Sequence, residues 1–115
     1  MVQRYKLRDL EPKLLRYAAG RHPCVQSLAE AQGVRFLCPK CFETNGGAAG
    51  THGVICWSSS RGVPDDAHPR PGRWRLVGTS LDDLSLMEEP GKSRSVLLVG
   101  GCAWHGFVTN GDVHD

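Results

Sequence analysis

Apolar residues in the first third of the chain recur at helical spacing. In the segment 9–19, leucine and alanine residues return every three or four positions, which predicts a short helix with one apolar face. A second short helix is predicted to start at Ser27, because Ser27 and Glu30 have the spacing of a capping box. The sequence therefore predicts a helical N-terminal segment over residues 1–33.

From residue 34 the pattern changes to short runs rich in β-branched and aromatic residues, which are typical of strands. Asn110-Gly111 between two such runs predicts a tight hairpin. The polar, proline-bearing segment 58–72 predicts a mobile surface loop. The predicted strands are 34–38, 53–57, 73–78 and 95–101, the last of them central. We therefore expect one α+β domain over residues 1–115, with two N-terminal helices followed by a small antiparallel sheet over 34–115 that ends in the hairpin.

Two pairs of metal-binding residues stand at the ends of predicted strands. Cys38 and Cys41 form a C-x2-C pair, and Cys102 and His105 form a C-x2-H pair. Each spacing lets two side chains reach one ion, and three thiolates with one imidazole make a tetrahedral set that Zn²⁺ prefers. The first hypothesis is a structural zinc ion that clamps the first strand of the β-region to the last.

His52 and Cys56 are alternative ligands, because they lie nearer in sequence to the C-x2-C pair. If 53–57 is a strand, however, Val54 and Cys56 share a face, which favours a buried core thiol at position 56. A closed set of four protein ligands is typical of a structural zinc site. Neither H-E-x-x-H nor a deaminase signature occurs, so the sequence favours a non-catalytic protein over a zinc hydrolase.

The net charge is only +2, but the basic residues are concentrated near the N-terminus. Residues 1–42 carry eight Lys or Arg against three acids, and residues 43–115 carry six against nine. This distribution is typical of a solvated face and also permits a docking surface for nucleic acid or an acidic partner, with Arg16 and Arg21 as candidate contacts. Trp104 could either cover the metal from water or present an aromatic ring to a partner.

The start of the chain lacks the apolar core of a signal peptide, and no apolar run is long enough to span a bilayer. Five cysteines in such a chain favour metal binding over a disulfide framework, because cytosolic thiols stay reduced. These features predict a cytoplasmic protein.

Four segments of the chain resemble, in their order, a family of small phage and prophage proteins of unknown function that are thought to bind zinc. The segments are FLCPKC, GTHGVICW, GRWRLVGTSLDDLSL and SVLLVGGCAWHGFVTNGDV, within residues 33–113. The resemblance implies zinc held by Cys38, Cys41, Cys102 and His105, and a location in the cytoplasm of an infected or lysogenic bacterial host. It implies no activity.

The function expected from these features is that of a zinc-binding, non-catalytic interaction module that acts on a host or phage macromolecule, in the first place a protein. A nucleic-acid-binding zinc ribbon that uses the basic N-terminal third is one alternative. A minor virion or assembly component is another. Neither a membrane nor a small-molecule substrate is expected as a partner.

Overall fold

The computed structural model describes residues 4–98 and 102–115, and these fold mainly into short strands. The strands are β1 Tyr5–Lys6, β2 Lys13–Leu15, β3 Cys24–Val25, β4 Gly33–Leu37, β5 Gly53–Trp57, β6 Trp74–Val77, β7 Ser85–Glu88, β8 Val96–Leu97, β9 His105–Thr109 and β10 Asp112–His114. The helical elements of the described residues are one α-helix, α1 (Pro39–Asn45), and two 3₁₀ helices, Leu7–Leu10 and Leu28–Glu30.

The strands form two four-stranded sheets and one hairpin, and each pairing is antiparallel. The first sheet has the order β3-β2-β4-β5, and the second sheet has the order β1-β10-β9-β8. Within residues 4–98 and 102–115, strands β6 and β7 pair only with each other. Strand β5 therefore lies at one edge of the first sheet, and β8 lies at one edge of the second.

The main hydrophobic core includes residues of both sheets, of the β6–β7 hairpin and of the first 3₁₀ helix. Phe36 on β4, Leu86 on β7 and Val108 on β9 are fully buried in it. Burial along β6 alternates, with Trp74 and Leu76 inside, as expected for a strand that has one face against a core. A smaller cluster lies under the segment 58–72.

The predicted helix over 9–19 is wrong. Its first residues end the 3₁₀ helix Leu7–Leu10, and Glu11 then takes a left-handed conformation (φ 50°) that stops helical growth. Residues 13–15 form β2, which lies between β3 and β4 inside the first sheet. Leu14 and Leu15 are both buried. In the predicted helix these neighbours shared one apolar face, but in an interior strand they point to opposite faces of the sheet, and both faces are covered.

The second predicted helix is also wrong, because only Leu28–Glu30 is helical and it forms a single 3₁₀ turn. The Ser27 hydroxyl donates to the Glu30 carboxylate (2.8 Å) and makes no hydrogen bond that caps the backbone. The α+β class with two N-terminal helices is therefore replaced by a small, compact β-rich domain. The α-helix that does form, α1, begins at the C-x2-C pair, where the sequence analysis predicted none.

The Asn-Gly hairpin is present between β9 and β10. Thr109 faces Asp112 across the turn, and Asn110 and Gly111 both have positive φ (49° and 78°), as a two-residue turn of this type requires. The predicted central strand 95–101 is observed as the two-residue edge strand β8. Its predicted end, 99–101, lies outside the described residues.

Candidate metal centre

The C-x2-C pair lies at the junction of β4 and α1. Cys38 directly follows β4 and is fully buried, and Cys41 lies in the first turn of α1. Pro39 occupies the first helical position, where its missing N–H leaves no hydrogen bond unmade. The change from strand to helix turns the chain back on itself, and it brings both thiols to the same side.

His52 reaches the same place through the register of the first sheet. It immediately precedes β5, and its carbonyl oxygen accepts a hydrogen bond from the Cys38 N–H (2.9 Å). The two residues thus face each other as the next pair beyond Leu37 and Gly53. Directly opposed side chains on antiparallel strands lie about 5 Å apart at Cβ, so this pairing alone brings the imidazole to Cys38.

Cys102 comes from the second sheet, just before β9. The Lys40 ammonium group donates to the Cys102 carbonyl oxygen (2.8 Å), which ties α1 to this segment. The Leu98 N–H donates to the Trp104 carbonyl (2.9 Å), which aligns β8 with the approach to β9. Between Cys102 and Trp104, Ala103 adopts a left-handed conformation (φ 54°), so the chain turns sharply there.

The ligand atoms of Cys38, Cys41, His52 and Cys102 all lie within 4.8 Å of one another. Cys102 Sγ is 3.4 Å from Cys38 Sγ and 3.4 Å from His52 Nε2. Tetrahedral coordination with Zn–S bonds of about 2.3 Å would separate two thiolates by about 3.8 Å. The spacing of the four atoms therefore fits a tetrahedral ion, and these residues could bind a metal.

The three thiols differ in acidity. Burial raises the pKa of Cys38 to about 12, although the backbone N–H groups of Cys41 and Lys40 act on its sulfur in the opposite direction. Burial also raises the pKa of Cys41. Burial acts upward on the pKa of Cys102 too, but hydrogen bonds from His52, the Trp104 N–H and the other thiols outweigh it and lower the pKa to about 6. A divalent cation would stabilise all three as thiolates, whereas the protein alone favours the thiolate form only at Cys102.

His105, which the spacing and the resemblance both indicated as the fourth ligand, does not belong to this cluster. Side chains alternate along β9, and Trp104 immediately before it is buried against the core. His105 consequently points to the opposite side, where it is exposed and lies beside Phe107 (ring centroids 6.3 Å apart). His52 takes the place at the cluster that was expected for His105.

The other candidate site residues lie apart from the cluster. Cys56 is fully buried in the core, where burial raises its pKa. Trp104 packs edge-on against Phe36 (centroids 6.2 Å apart) and is only 2% exposed, so it is a core residue with no surface to offer a partner. Arg16 and Arg21 are exposed, and Arg16 donates to the Glu30 carbonyl oxygen (3.3 Å).

Part of the predicted basic surface is offset by acids. Arg4 and Lys6 both pair with Asp112 (3.3 and 3.5 Å), and Arg8 pairs with Asp82 (2.7 Å). Both acids belong to the acidic remainder of the chain, which folds back beside the N-terminus. The local excess of positive charge in the sequence is therefore smaller at this surface than the count of residues 1–42 indicated.

A cleft of about 860 Å³ opens beside the metal centre, and His52 and Cys102 form part of its wall. The rest of its lining comes from three further parts of the chain: 53–55 on β5, 69–72 and 74 before and at the start of β6, and 91–93 and 95–98 up to and around β8. This cleft was not predicted from the sequence. No single segment carries a signal for it, because its walls meet only after the two sheets have formed.

Comparisons of the chain with profiles of known protein families, with curated protein sequences and with solved structures found no match. The assignment to a phage-encoded family therefore stays a prediction. Among the described residues, no helix has the length and apolar character needed to cross a bilayer.

Proposed function

We propose that this protein is a zinc-stabilised interaction module, in which Cys38, Cys41, His52 and Cys102 hold one structural zinc ion. The observation that carries the proposal is the convergence of these four ligand atoms within 4.8 Å from both sheets. In the same proposal, the module acts on a host or phage macromolecule in the cytoplasm of a bacterial cell, and the resemblance of the sequence to phage proteins supports that setting.

The donor set supports zinc over other ions. Three thiolates and an imidazole are soft or borderline ligands, which Mg²⁺ and Ca²⁺ avoid and Zn²⁺ accepts in tetrahedral geometry. Four protein ligands leave no open position for a reactive water, which is the usual property of a structural zinc site. The described residues that line the neighbouring cleft include no carboxylate to act as a general base. Binding is therefore better supported than catalysis.

Elemental analysis of the purified protein and of ligand variants tests this proposal. We expect one zinc per chain in the wild type and strongly reduced zinc in Cys38→Ser, Cys102→Ser and His52→Ala. His105→Ala and Cys56→Ser are matched controls, because they change the same residue types outside the cluster, and they should retain zinc. A protein that keeps its zinc in His52→Ala and loses it in His105→Ala would refute the ligand set.

A second candidate function, binding of single-stranded nucleic acid, is favoured by a row of rings on the outer face of the second sheet. Phe107 on β9 stacks on His114 of β10 (centroids 5.7 Å apart), and the His105 ring also lies beside Phe107 (centroids 6.3 Å apart). The Arg94 guanidinium lies 5.3 Å from the Phe107 ring centroid. Bases stack on such aromatic rings in many single-strand binders, and a nearby arginine adds affinity for phosphate.

This candidate predicts salt-sensitive binding of a fluorescein-labelled oligouridylate that depends on the Phe107 ring. Phe107→Leu keeps an apolar side chain but removes the ring, and it should weaken binding by about tenfold, which corresponds to one lost stacking contact. Val77→Ala on β6 changes an exposed apolar strand residue outside the row of rings and serves as the control. Binding that is unchanged in Phe107→Leu would exclude the row of rings, and loss on charge reversal of Arg16 and Arg21 would instead favour the basic N-terminal face.

A further inference from the structure

Two open sheet edges line the cleft beside the metal centre. Residues 53–55 of β5, at the edge of the first sheet, form one wall. Residues 96–98, which include β8 at the edge of the second sheet, form another. Natural proteins usually protect exposed strand edges with charged residues, proline or a bulge. Gly53, Val54 and Ile55 include no such residue, and among the described residues β5 pairs with β4 alone, so this edge offers unpaired backbone groups to another strand.

The register of each sheet shows which backbone groups face the cleft. Because the Cys38 N–H donates to the His52 carbonyl, positions 52, 54 and 56 are the hydrogen-bonded positions of the β4–β5 ladder. Gly53 and Ile55 therefore direct their N–H and C=O groups away from β4. No backbone or side-chain hydrogen bond joins these groups to another residue in the described part of the chain. By the same reasoning, because the Leu98 N–H donates to the Trp104 carbonyl, the N–H and C=O groups of Leu97 point away from β9.

The walls of the cleft are largely apolar. Trp74 forms one side, and its ring nitrogen donates to the Arg94 carbonyl oxygen (3.0 Å), which holds the ring in place. Pro69 and Pro71 extend this side. On the other side the Leu97 side chain is 58% exposed, the highest value for a large apolar residue in the described chain. An exposed leucine in an apolar wall is a typical contact for an apolar side chain of a partner.

The charged groups of the cleft are cationic. Arg70 and Lys92 are both exposed at its lining, and no Asp or Glu occurs among the described lining residues. A zinc ion with three thiolates and a neutral imidazole carries a net charge of about −1. The Lys40 ammonium group bound to the Cys102 carbonyl lies beside the centre and offsets that charge. The cleft therefore favours a partner that carries carboxylates.

We propose that this cleft binds an extended acidic peptide segment of a partner protein, which adds as a strand to the open edge of β5. Backbone groups of the segment pair with Gly53 and Ile55, apolar side chains contact Leu97 and the exposed rings of Pro69 and Pro71, and carboxylates face Arg70 and Lys92. Strand addition of this kind derives affinity from main-chain hydrogen bonds and specificity from alternate side chains. The inference rests on the proposed function as an interaction module and names the partner of that module.

Fluorescence anisotropy with synthetic peptides and the zinc-loaded full chain tests the inference. The probe is a fluorescein-labelled octapeptide of alternating valine and aspartate, and the matched control alternates valine and lysine. Two further probes repeat the valine–aspartate sequence with N-methyl groups on alternate amides, one for each register. We expect the unmodified acidic probe to bind. The lysine probe and at least one N-methylated probe should bind at least about tenfold more weakly. The lysine probe loses the attraction to Arg70 and Lys92, and the N-methylated probe loses main-chain hydrogen bonds.

Protein variants supply the second arm. Arg70→Glu combined with Lys92→Glu should weaken the acidic probe by at least about tenfold, because two attractive charges become repulsive. Arg75→Glu reverses an exposed charge on β6 that does not line the cleft, and it should bind as the wild type does. Zinc content and circular dichroism of each variant check that the fold is retained.

Several results would overturn the inference. Equal binding of the acidic and basic probes would remove the charge argument, and full binding of both N-methylated probes would show that no strand is added. Sedimentation of the protein alone as a dimer that excludes the probe would make a second copy of the chain the occupant. A protein with one zinc per chain that binds none of the peptides would refute the peptide site and leave the zinc-stabilised module standing. A zinc-free protein that still binds the acidic probe would refute the zinc site and leave the peptide site standing.

Discussion

Arg73 shows how one buried cation organises a long irregular segment. Its side chain is only 1% exposed, and its two terminal nitrogens donate hydrogen bonds to the carbonyl oxygens of Pro64, Asp65, Ala67, Pro69 and Gly72. Arginine suits this position, because its planar group carries several donors in a fixed arrangement. The segment 58–72 therefore wraps around a guanidinium group. The predicted mobile surface loop is instead held by specific contacts.

We expect Arg73→Met to destabilise the protein by about 3 kcal/mol, because it removes the donors of several carbonyl groups at once. Arg73→Lys should recover only part of this loss, since an ammonium group has fewer donors and no planar arrangement. Arg75→Met is the control, because Arg75 is the exposed neighbour on β6. Urea unfolding monitored by tryptophan fluorescence measures the differences, and equal midpoints for Arg73→Met and Arg75→Met would contradict the assigned role.

At the scale of elements, the sequence predicted those strands whose own residues carry the signal. Strands β4 and β5 lie within one residue of their predicted bounds, and the Asn110-Gly111 turn forms as expected. The N-terminal segment could not be predicted in the same way. Its leucines are buried because β2 lies between two other strands, and this position depends on distant parts of the chain.

Helix α1 was missed although its signals are local. Pro39 at the first helical position and Gly46 just after the last helical residue (φ 70°, its N–H bonded to the Phe42 and Glu43 carbonyls) are typical helix boundaries. No element was predicted between the strand 34–38 and Asn45. Seven residues are also too few for a helical repeat to be recognised by periodicity.

The positions of His52 and His105 show how much of a candidate metal site can be predicted from spacing. The pair Cys38 and Cys41 follows from its spacing alone, because both residues belong to one turn of chain. The histidine is chosen by strand register and by side-chain alternation, which place His52 opposite Cys38 and direct His105 away from the core. The strands 34–38 and 53–57 were both predicted. Pairing them as antiparallel neighbours, with Cys38 opposite His52, would have indicated His52 as a ligand.

The Asn110-Gly111 turn permits a prediction about stability, because it packs against other elements. The Gly111 N–H donates to the Leu84 carbonyl (2.9 Å), and its own carbonyl accepts from the Leu7 N–H (2.8 Å). A β-carbon at Gly111 would collide with the backbone of Asp82. Gly20 has a similar positive φ (73°) with open space around it, so Gly20→Ala is a matched control for conformational strain alone.

We expect Gly20→Ala to destabilise the protein by about 1 kcal/mol and Gly111→Ala by about 2 kcal/mol more, because only the second adds a steric clash to the strain. Thermal or urea unfolding of the two variants measures the difference. If both variants lost the same stability, the turn at Gly111 would not be packed against the Asp82 backbone.

At the scale of the whole molecule, the candidate metal centre brings together residues from both sheets. Three of its ligands belong to the first sheet and its helix, and Cys102 belongs to the chain that enters the second sheet. The ion pairs that also join distant segments, such as Arg8 with Asp82, are exposed and therefore contribute little stability. A domain of 115 residues with short strands would gain more from a metal cross-link at this junction.

Removal of the metal should consequently lower the stability of the entire domain. A ligand that binds only the folded state at a thousand times its dissociation constant stabilises that state by about 4 kcal/mol. We therefore expect a chelator to lower the urea midpoint of the wild type substantially, and added zinc to restore it. Cys102→Ser, which leaves three ligands on the first sheet and removes the link to the second, should unfold at the lower midpoint with or without zinc. Cys24→Ser changes an exposed cysteine outside the cluster and should respond to zinc as the wild type does. A wild-type midpoint that is the same with chelator and with zinc would mean that the four ligands do not hold the two sheets together through a metal ion.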